Sequence, residues 1–355
     1  MAPPSLSDDV VACILAALSE KVEDSYIEPP YGTLLACTLV SKAWHPLAIH
    51  QLYAHLEVEL CLHIAVEPLS DSLSLERTLL MRPALGAHTR TLRMKAKPSS
   101  TEPADRRKGE AAVIRVAGVF LYCCPNLLGI DFFAFNTDFG AMVQCSLLEL
   151  IEALRPGLTR LALNDVHLDQ ANFLALVPRF ANLQHFTLMS KLWDDRQLDL
   201  EPSHPLFALL KSLSTNLTSL ELHLDLSPPR LRAAFSLVSQ FYNLRHLRLH
   251  LGKSPEVAAD LVAALHRLNH LATFTCTFTH TGPEFSFATL PFSLRRIDFP
   301  YGLPFVAILE LVLQPERENC LILWSEEDWG SMERKMMERF VAAGDVLRRR
   351  YPLDE

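Results

Sequence analysis

Leucine-type residues recur along this chain in a fixed short pattern, Leu-x-x-Leu-x-Leu, usually preceded by a polar residue. The pattern begins at Asn126 (NLLGIDF), Gly157 (GLTRLAL), Asn182 (NLQHFTL), Asn216 (NLTSLEL), Asn243 (NLRHLRL), His270 (HLATFTC) and Ser293 (SLRRIDF). Weaker copies lie at His88 (HTRTLRM) and near Cys320 (CLILW), and the run LEVELCLHI from Leu56 alternates apolar and polar residues. Alternation at period two predicts short strands with one buried face. Successive clear copies start 23 to 34 residues apart, around the 20 to 29 of leucine-rich repeats.

Between the copies the periodicity changes to that of a helix. Glu110 to Tyr122, Val143 to Leu154, Asp169 to Phe180, His204 to Leu213, Leu231 to Phe241 and Glu256 to Leu268 each carry apolar residues at helical spacing, as in Leu206, Leu209, Leu210 and Leu213. Strands alternating with helices predict an α/β fold with parallel strands and helices outside them. At this repeat length the units would chain into an irregular leucine-rich-repeat solenoid with the strands on its concave face. An ordinary α/β domain with leucine-rich strands would give a similar pattern. The stretch from Lys97 to Gly109, with its prolines, serines and the run Arg106, Arg107, Lys108, predicts a loop. The apolar CLILW predicts a last strand covered on both sides. After Ser325, Trp329, Met332, Met336, Phe340 and Leu347 line one side of a predicted capping helix.

The first fifty residues read differently. Ser7 precedes Asp8 and Asp9, a capping arrangement that places carboxylates at the positive end of a helix dipole, and Val11, Ile14, Leu15 and Leu18 share a face. The acidic stretch Ser19 to Gly32, ending in Pro29, Pro30 and Gly32, predicts a loop. Leu34, Leu35 and Leu39 then mark a second short helix, and Trp44, Leu47, Ala48 and Leu52 a third, with Pro46 near its start. Three short helices bury little surface, so the module is expected to lean on a partner or on the rest of the chain. The expected organisation is a helical module at 1–55, repeats at 56–325 and a capping helix at 326–355.

The segments LSDDVVACILAAL and LLACTLVSKAWHPLA resemble the F-box, a pattern ending in Val-Ser-Lys-x-Trp as at Val40, Ser41, Lys42 and Trp44. Ser7 stands where the family has proline, and the loop between the first two helices is longer than usual. With the repeats, the whole is similar to fungal-type F-box proteins carrying divergent leucine-rich repeats. The resemblance implies a substrate-recognition subunit of a Skp-cullin-F-box ubiquitin ligase. It implies adaptor contact through Leu6, Val10, Ile14, Leu34, Leu35 and Val40, and capture of a target protein by the repeats. The other reading is a repeat scaffold with no ligase partner.

Composition adds limits. A formal charge of -8 and a pI near 6.0 supply no basic field for nucleic acid. The apolar run Val116 to Ile130 is broken by Pro125 and is too short for a bilayer span, and the acidic start lacks a cationic leader, so a cytoplasmic or nuclear protein is expected. Eight cysteines without a Cys-x-x-Cys pair suggest reduced thiols rather than a disulfide framework or zinc site. No two glycines lie closer than nine residues, which leaves no phosphate-binding glycine loop. There is no Gly-x-Ser-x-Gly and no His-Glu-x-x-His, and His266 with His270 lacks a third ligand, so no cofactor, metal or catalytic role is expected. Residues between the strand leucines should face away from the helices. They form a polar ladder of Arg160, His185, Glu221, His223, His246, Arg248, His250, Arg296 and Asp298, with Thr273, Thr275 and Thr277 beside it. Such a strip suits partner binding, and plain solvated sheet would look the same.

Overall fold

The structure, a computed structural model, describes residues 10–11, 13, 31–61, 70–97, 103–133, 141–166, 172–190, 203–213, 216–224, 226–251, 257–278, 290–291, 293–299, 320–324 and 335. The chain is α/β and divides into two compact units, Met1–Leu158 and Thr159–Glu355.

In the first unit, helices α1 (Tyr31–Val40) and α2 (Trp44–Ala54) are joined by a turn in which the Ser41 hydroxyl accepts the Trp44 N–H at 3.1 Å. That bond satisfies one of the orphan donors at the start of α2, which is why a short polar residue suits this position. Leu34 and Ala48 are buried with Val11, and Cys37, Trp44, Leu47 and Leu52 pack around them. Val10, Val11 and Cys13 are helical. The chain passes from α2 directly into strand β1 (His55–Cys61), so the expected boundary at 55/56 lies inside this unit. Then follow α3 (Ser70–Met81), the single turn α4 (Pro83–Gly86), β2 (Thr91–Lys97), α5 (Pro103–Cys123), β3 (Gly129–Phe133) and α6 (Ala141–Leu154). β1, β2 and β3 are parallel neighbours in chain order.

Two elements correct the sequence reading. Residues 103–109, expected in a loop, open α5, with Pro103 at a first-turn position where its missing N–H costs nothing. Helix α3 was not anticipated. Its buried face includes the carboxylate of Glu76, neutralised by Arg115 of α5 at 2.8 Å, a partner that local periodicity does not reveal.

The second unit contains β4 (Arg160–Val166), a 3-10 helix (Asn172–Arg179), β5 (His185–Ser190), α7 (Pro205–Ser212), β6 (Ser219–Leu224), α8 (Pro228–Val238), β7 (His246–Leu251), α9 (Ala258–Leu265), β8 (Thr273–Phe278), β9 (Arg296–Phe299) and β10 (Leu321–Trp324). The seven strands among its described residues are parallel and adjacent in chain order. The expected helix at 169–180 forms as the 3-10 helix, with Phe173, Leu174 and Val177 buried and Pro178 unable to donate a backbone bond. The capping helix expected at 326–355 lies outside the described residues, apart from Lys335, which is helical.

A common joint precedes the strands. The chain enters the strand through a four-residue turn closed by an N–H donating to a carbonyl three residues back: Leu127 to Cys124, Leu158 to Arg155, Leu183 to Phe180, Leu244 to Phe241, Leu271 to Leu268 and Leu294 to Pro291. The turn's last residue is the first leucine of the sequence pattern. Leu127, Leu158, Leu183, Leu217, Leu244, Leu271 and Leu294 are all buried, each such burial contributing about 1.5–3 kcal/mol. The next two N–H groups both donate to one carbonyl of the preceding copy, as when Thr218 and Ser219 reach Gln184, and Arg245 and His246 reach Thr218. In the weak copy at His88, Thr89 occupies the leucine position and is fully buried. Gly86 starts that turn because a Cβ there would run into the Cys123 carbonyl.

Candidate binding surface

Strand alternation separates two faces in the second unit. The second and third leucine-type positions of the pattern (Leu161 and Leu163, Phe186 and Leu188, Leu220 and Leu222, Leu247 and Leu249, Phe274 and Cys276) are buried. The residues between them form rows across the other face, held by the parallel register. The first row is Arg160, His185, Ser219, His246, Thr273 and Arg296. Next come Ala162, Thr187, Glu221, Arg248, Thr275 and Asp298, and a third row holds Met189, His223, His250 and Thr277. All nine sequence-derived ladder residues therefore share one face. They are not equally open: Arg160, His185 and His246 are exposed, Glu221, His223, Arg248, His250 and Arg296 are half-buried, and Asp298 is buried.

Glu221 is the centre of the ladder. Arg248 Nε and His250 Nε2 each lie 3.6 Å from its Oε1, and the Thr187 hydroxyl donates to Oε2 at 3.4 Å. Burial pushes the Glu221 carboxyl up, but the facing His250, the Arg248 charge and the Thr187 hydroxyl outweigh it and hold it below the usual carboxylate range. The His223 and His250 rings are 4.8 Å apart. Burial, together with the neighbouring His250 and against the pull of Glu221, lowers the His223 imidazole to about 4. His223 is therefore neutral at physiological pH, while Glu221 is ionised. Farther along, Arg296 Nη2 lies 3.4 Å from Asp298 Oδ2. The Thr277 hydroxyl oxygen is buried with no hydrogen bond among the described residues. Together these groups form a strip of alternating donors and acceptors able to recognise a polar surface.

A shorter counterpart lies on the first unit's strands, where sequence reasoning took LEVEL only as a strand signal. Register aligns Glu57, Arg93 and Asp131. Arg93 reaches Asp131 Oδ2 through both Nε and Nη2 at 3.0 Å and approaches Glu57 at 3.9 Å, and Lys95 pairs with Glu57. The alternating acids of that run were the available clue, but the cation between them came from β2, far away in sequence.

The residues expected to meet an adaptor separate by environment. Leu34 is 1% exposed in the small helical core, whereas Val10, Leu35 and Val40 are 44%, 55% and 61% exposed, joined by Leu39 at 83%. Leu6 and Ile14 lie outside the described residues. His266 and His270, the pair considered for a metal, are exposed in the turn that follows α9. Among the described residues no group of three His, Cys, Asp or Glu side chains is placed to hold a metal ion, and no helix is long and apolar enough to cross a membrane.

No family model matches the chain, and no curated protein matches it either.

A groove that the sequence reading did not foresee lies at the strand-entry turns of the second unit. It has a volume of about 560 Å³ and is lined by Asn182, Gln184, Asn216, Thr218, Arg245 and His270, with Ala181 and Asn243. The asparagines were legible only as the markers that open each repeat.

Proposed function

We propose that this chain is a non-catalytic substrate-recognition subunit of a Skp-cullin-F-box ubiquitin ligase. On this reading residues 1–55 are an F-box-like module, and the strand–helix repeats are a leucine-rich-repeat solenoid that holds a target protein. The observation that carries the reading is the outward apolar set Val10, Leu35, Leu39 and Val40 on a helical module whose own core is small. Helices that bury so little among themselves and still present four apolar side chains to solvent suit burial against a partner. The Trp44 N–H donating to the Ser41 hydroxyl supports it further, since it ties together two residues of the Val-Ser-Lys-x-Trp pattern. Leu6, Val10, Ile14, Leu35 and Val40 would meet the adaptor directly, and Leu34 would support them from the core. The ligase function would be exerted by positioning the target, in the cytoplasm or nucleus, with neither nucleic acid nor membrane as partner.

The second reading is a repeat scaffold with no ligase association, favoured by Leu34, which is committed to the core rather than offered to an adaptor. Co-expression with a Skp-type adaptor separates the two. The first reading expects a stable complex with the wild-type chain and its loss in the double variant Leu35→Asp, Leu39→Asp, whose exposed sites leave the fold intact by circular dichroism. No complex from folded wild type, or one indifferent to the double variant, would overturn it.

A further inference from the structure

We infer that the groove at the turns leading into β5, β6, β7 and β8 binds an extended peptide segment through a carboxylate seated on Arg245. This deepens the reading of the repeats as a target-binding surface and is independent of adaptor docking. The groove is built by the repeat itself. In each copy the residue at the turn's third position and the residue just before the strand face the same side, so four consecutive copies line up Asn182, Asn216, Asn243 and His270 beside Gln184, Thr218 and Arg245.

Three features define the ligand. First, every polar lining side chain is an amide, a hydroxyl, an imidazole or a guanidinium, and no acid lines the groove. A ligand anion would therefore meet no repelling negative charge. Second, Arg245 is exposed, and its guanidinium has no ion pair among the described residues. Its counterpart before β2, Arg90, is instead turned onto the Asn126 carbonyl at 3.4 Å. A guanidinium presents paired donors in the geometry of a carboxylate. Third, side-chain amides both donate and accept, which matches the alternating C=O and N–H groups of a polypeptide backbone. Part of that capacity locks the groove walls: the Asn216 amide donates to the Ala181 carbonyl at 3.0 Å and the Thr218 hydroxyl to the Gln184 carbonyl at 3.2 Å. The walls are thus fixed before a ligand arrives, which lowers the ordering cost of binding. The volume lies within the roughly 300–1,000 Å³ of ligand sites. A nucleic acid fits poorly, because the lining has a single arginine and no Phe, Tyr or Trp ring for base stacking.

The test uses the full-length chain and fluorescein-labelled eight-residue peptides of mixed sequence with a central glutamate, compared by fluorescence anisotropy with the same set carrying glutamine. A charge-assisted hydrogen bond contributes about 1.5–3 kcal/mol, so the glutamine set is expected to bind about 10- to 100-fold more weakly. Arg245→Gln should weaken the glutamate set by a similar factor, whereas Arg232→Gln, on α8 and outside the groove, should leave it unchanged. Adaptor co-purification is run on the same Arg245→Gln protein. An intact complex with lost peptide binding supports the groove whatever the fate of the ligase reading, and an intact complex with retained peptide binding overturns the groove while leaving the ligase reading standing. Equal binding of the glutamate and glutamine sets, no binding of either, no effect of Arg245→Gln, or displacement of bound peptide by a mixed-sequence single-stranded oligonucleotide would each overturn the inference.

Discussion

Replacing His223 with glutamine should flatten the acid dependence of the second unit's stability. In the folded chain the ring titrates near 4, against 6.5 for an unperturbed histidine, because burial and the adjacent His250 disfavour its cation. A base whose folded value is depressed binds fewer protons when folded than when unfolded. Its contribution is therefore fully present above the unfolded value and is lost as pH falls from about 6.5 towards about 4. Between about pH 7 and about pH 4.5 the two titration curves differ by about 2 kcal/mol once water screening of a half-buried ring is allowed for. Urea unfolding of wild type and His223→Gln across that window measures it, comparing midpoints at constant slope. Glutamine keeps a polar group facing His250 and does not titrate, so the variant should lose about 2 kcal/mol less on acidification. His50, whose imidazole is also lowered by burial and by His88 and Arg90, leaves a residual slope in the first unit of both proteins. Glu221 adds its own loss only below the ordinary carboxylate range, since its folded value is depressed. Parallel pH profiles for wild type and His223→Gln would refute the reasoning.

Two further substitutions probe the joint. Gly86→Ala would set a methyl against the Cys123 carbonyl carbon at 2.8 Å and closer still to its oxygen, so at least about 2 kcal/mol of stability should be lost, read from thermal unfolding; an unchanged midpoint would show that the turn gives way freely. Thr89→Val removes a buried hydroxyl that has no hydrogen bond among the described residues and faces the weakly bonding Cys124 thiol; it should stabilise the first unit by about 1 kcal/mol, and a destabilised variant would mean the thiol is a productive partner.

The strands were legible because two constraints coincide in their sequence. Their leucines must alternate to keep one face buried, and the leucine closing the preceding turn falls at a fixed offset from them. That double constraint placed the starts of β4 through β9 and the shared face of the nine ladder residues. Local pattern failed where a partner from elsewhere decides the outcome. Ser70 to Met81 opens with serine and aspartate and buries Glu76, features of a loop until Arg115 is seen beside them. Arg106, Arg107 and Lys108 looked like solvated loop, yet they belong to the first turns of a helix that Pro103 is suited to begin. Leu34 and Leu35 are adjacent in sequence and similar in chemistry, and only packing against Val11 and Ala48 sends one inward and the other to solvent. The groove was invisible for a related reason: its lining residues come from four separate turns and meet only through the strand register.

Among the described residues, the carbonyls of Arg90, Thr159, Gln184, Thr218, Arg245 and Ala272 each receive two main-chain N–H groups from the following copy, and at Gln184 a side chain, the Thr218 hydroxyl, adds to this clasp. The main-chain clasp does not require a particular side chain there, and arginine, glutamine, threonine and alanine all occupy the position, at Arg90, Gln184, Thr218 and Ala272. Such a chain can gain or lose one complete repeat without rewriting its neighbours. It can also exchange the side chains that line the groove one residue at a time while its architecture stays put.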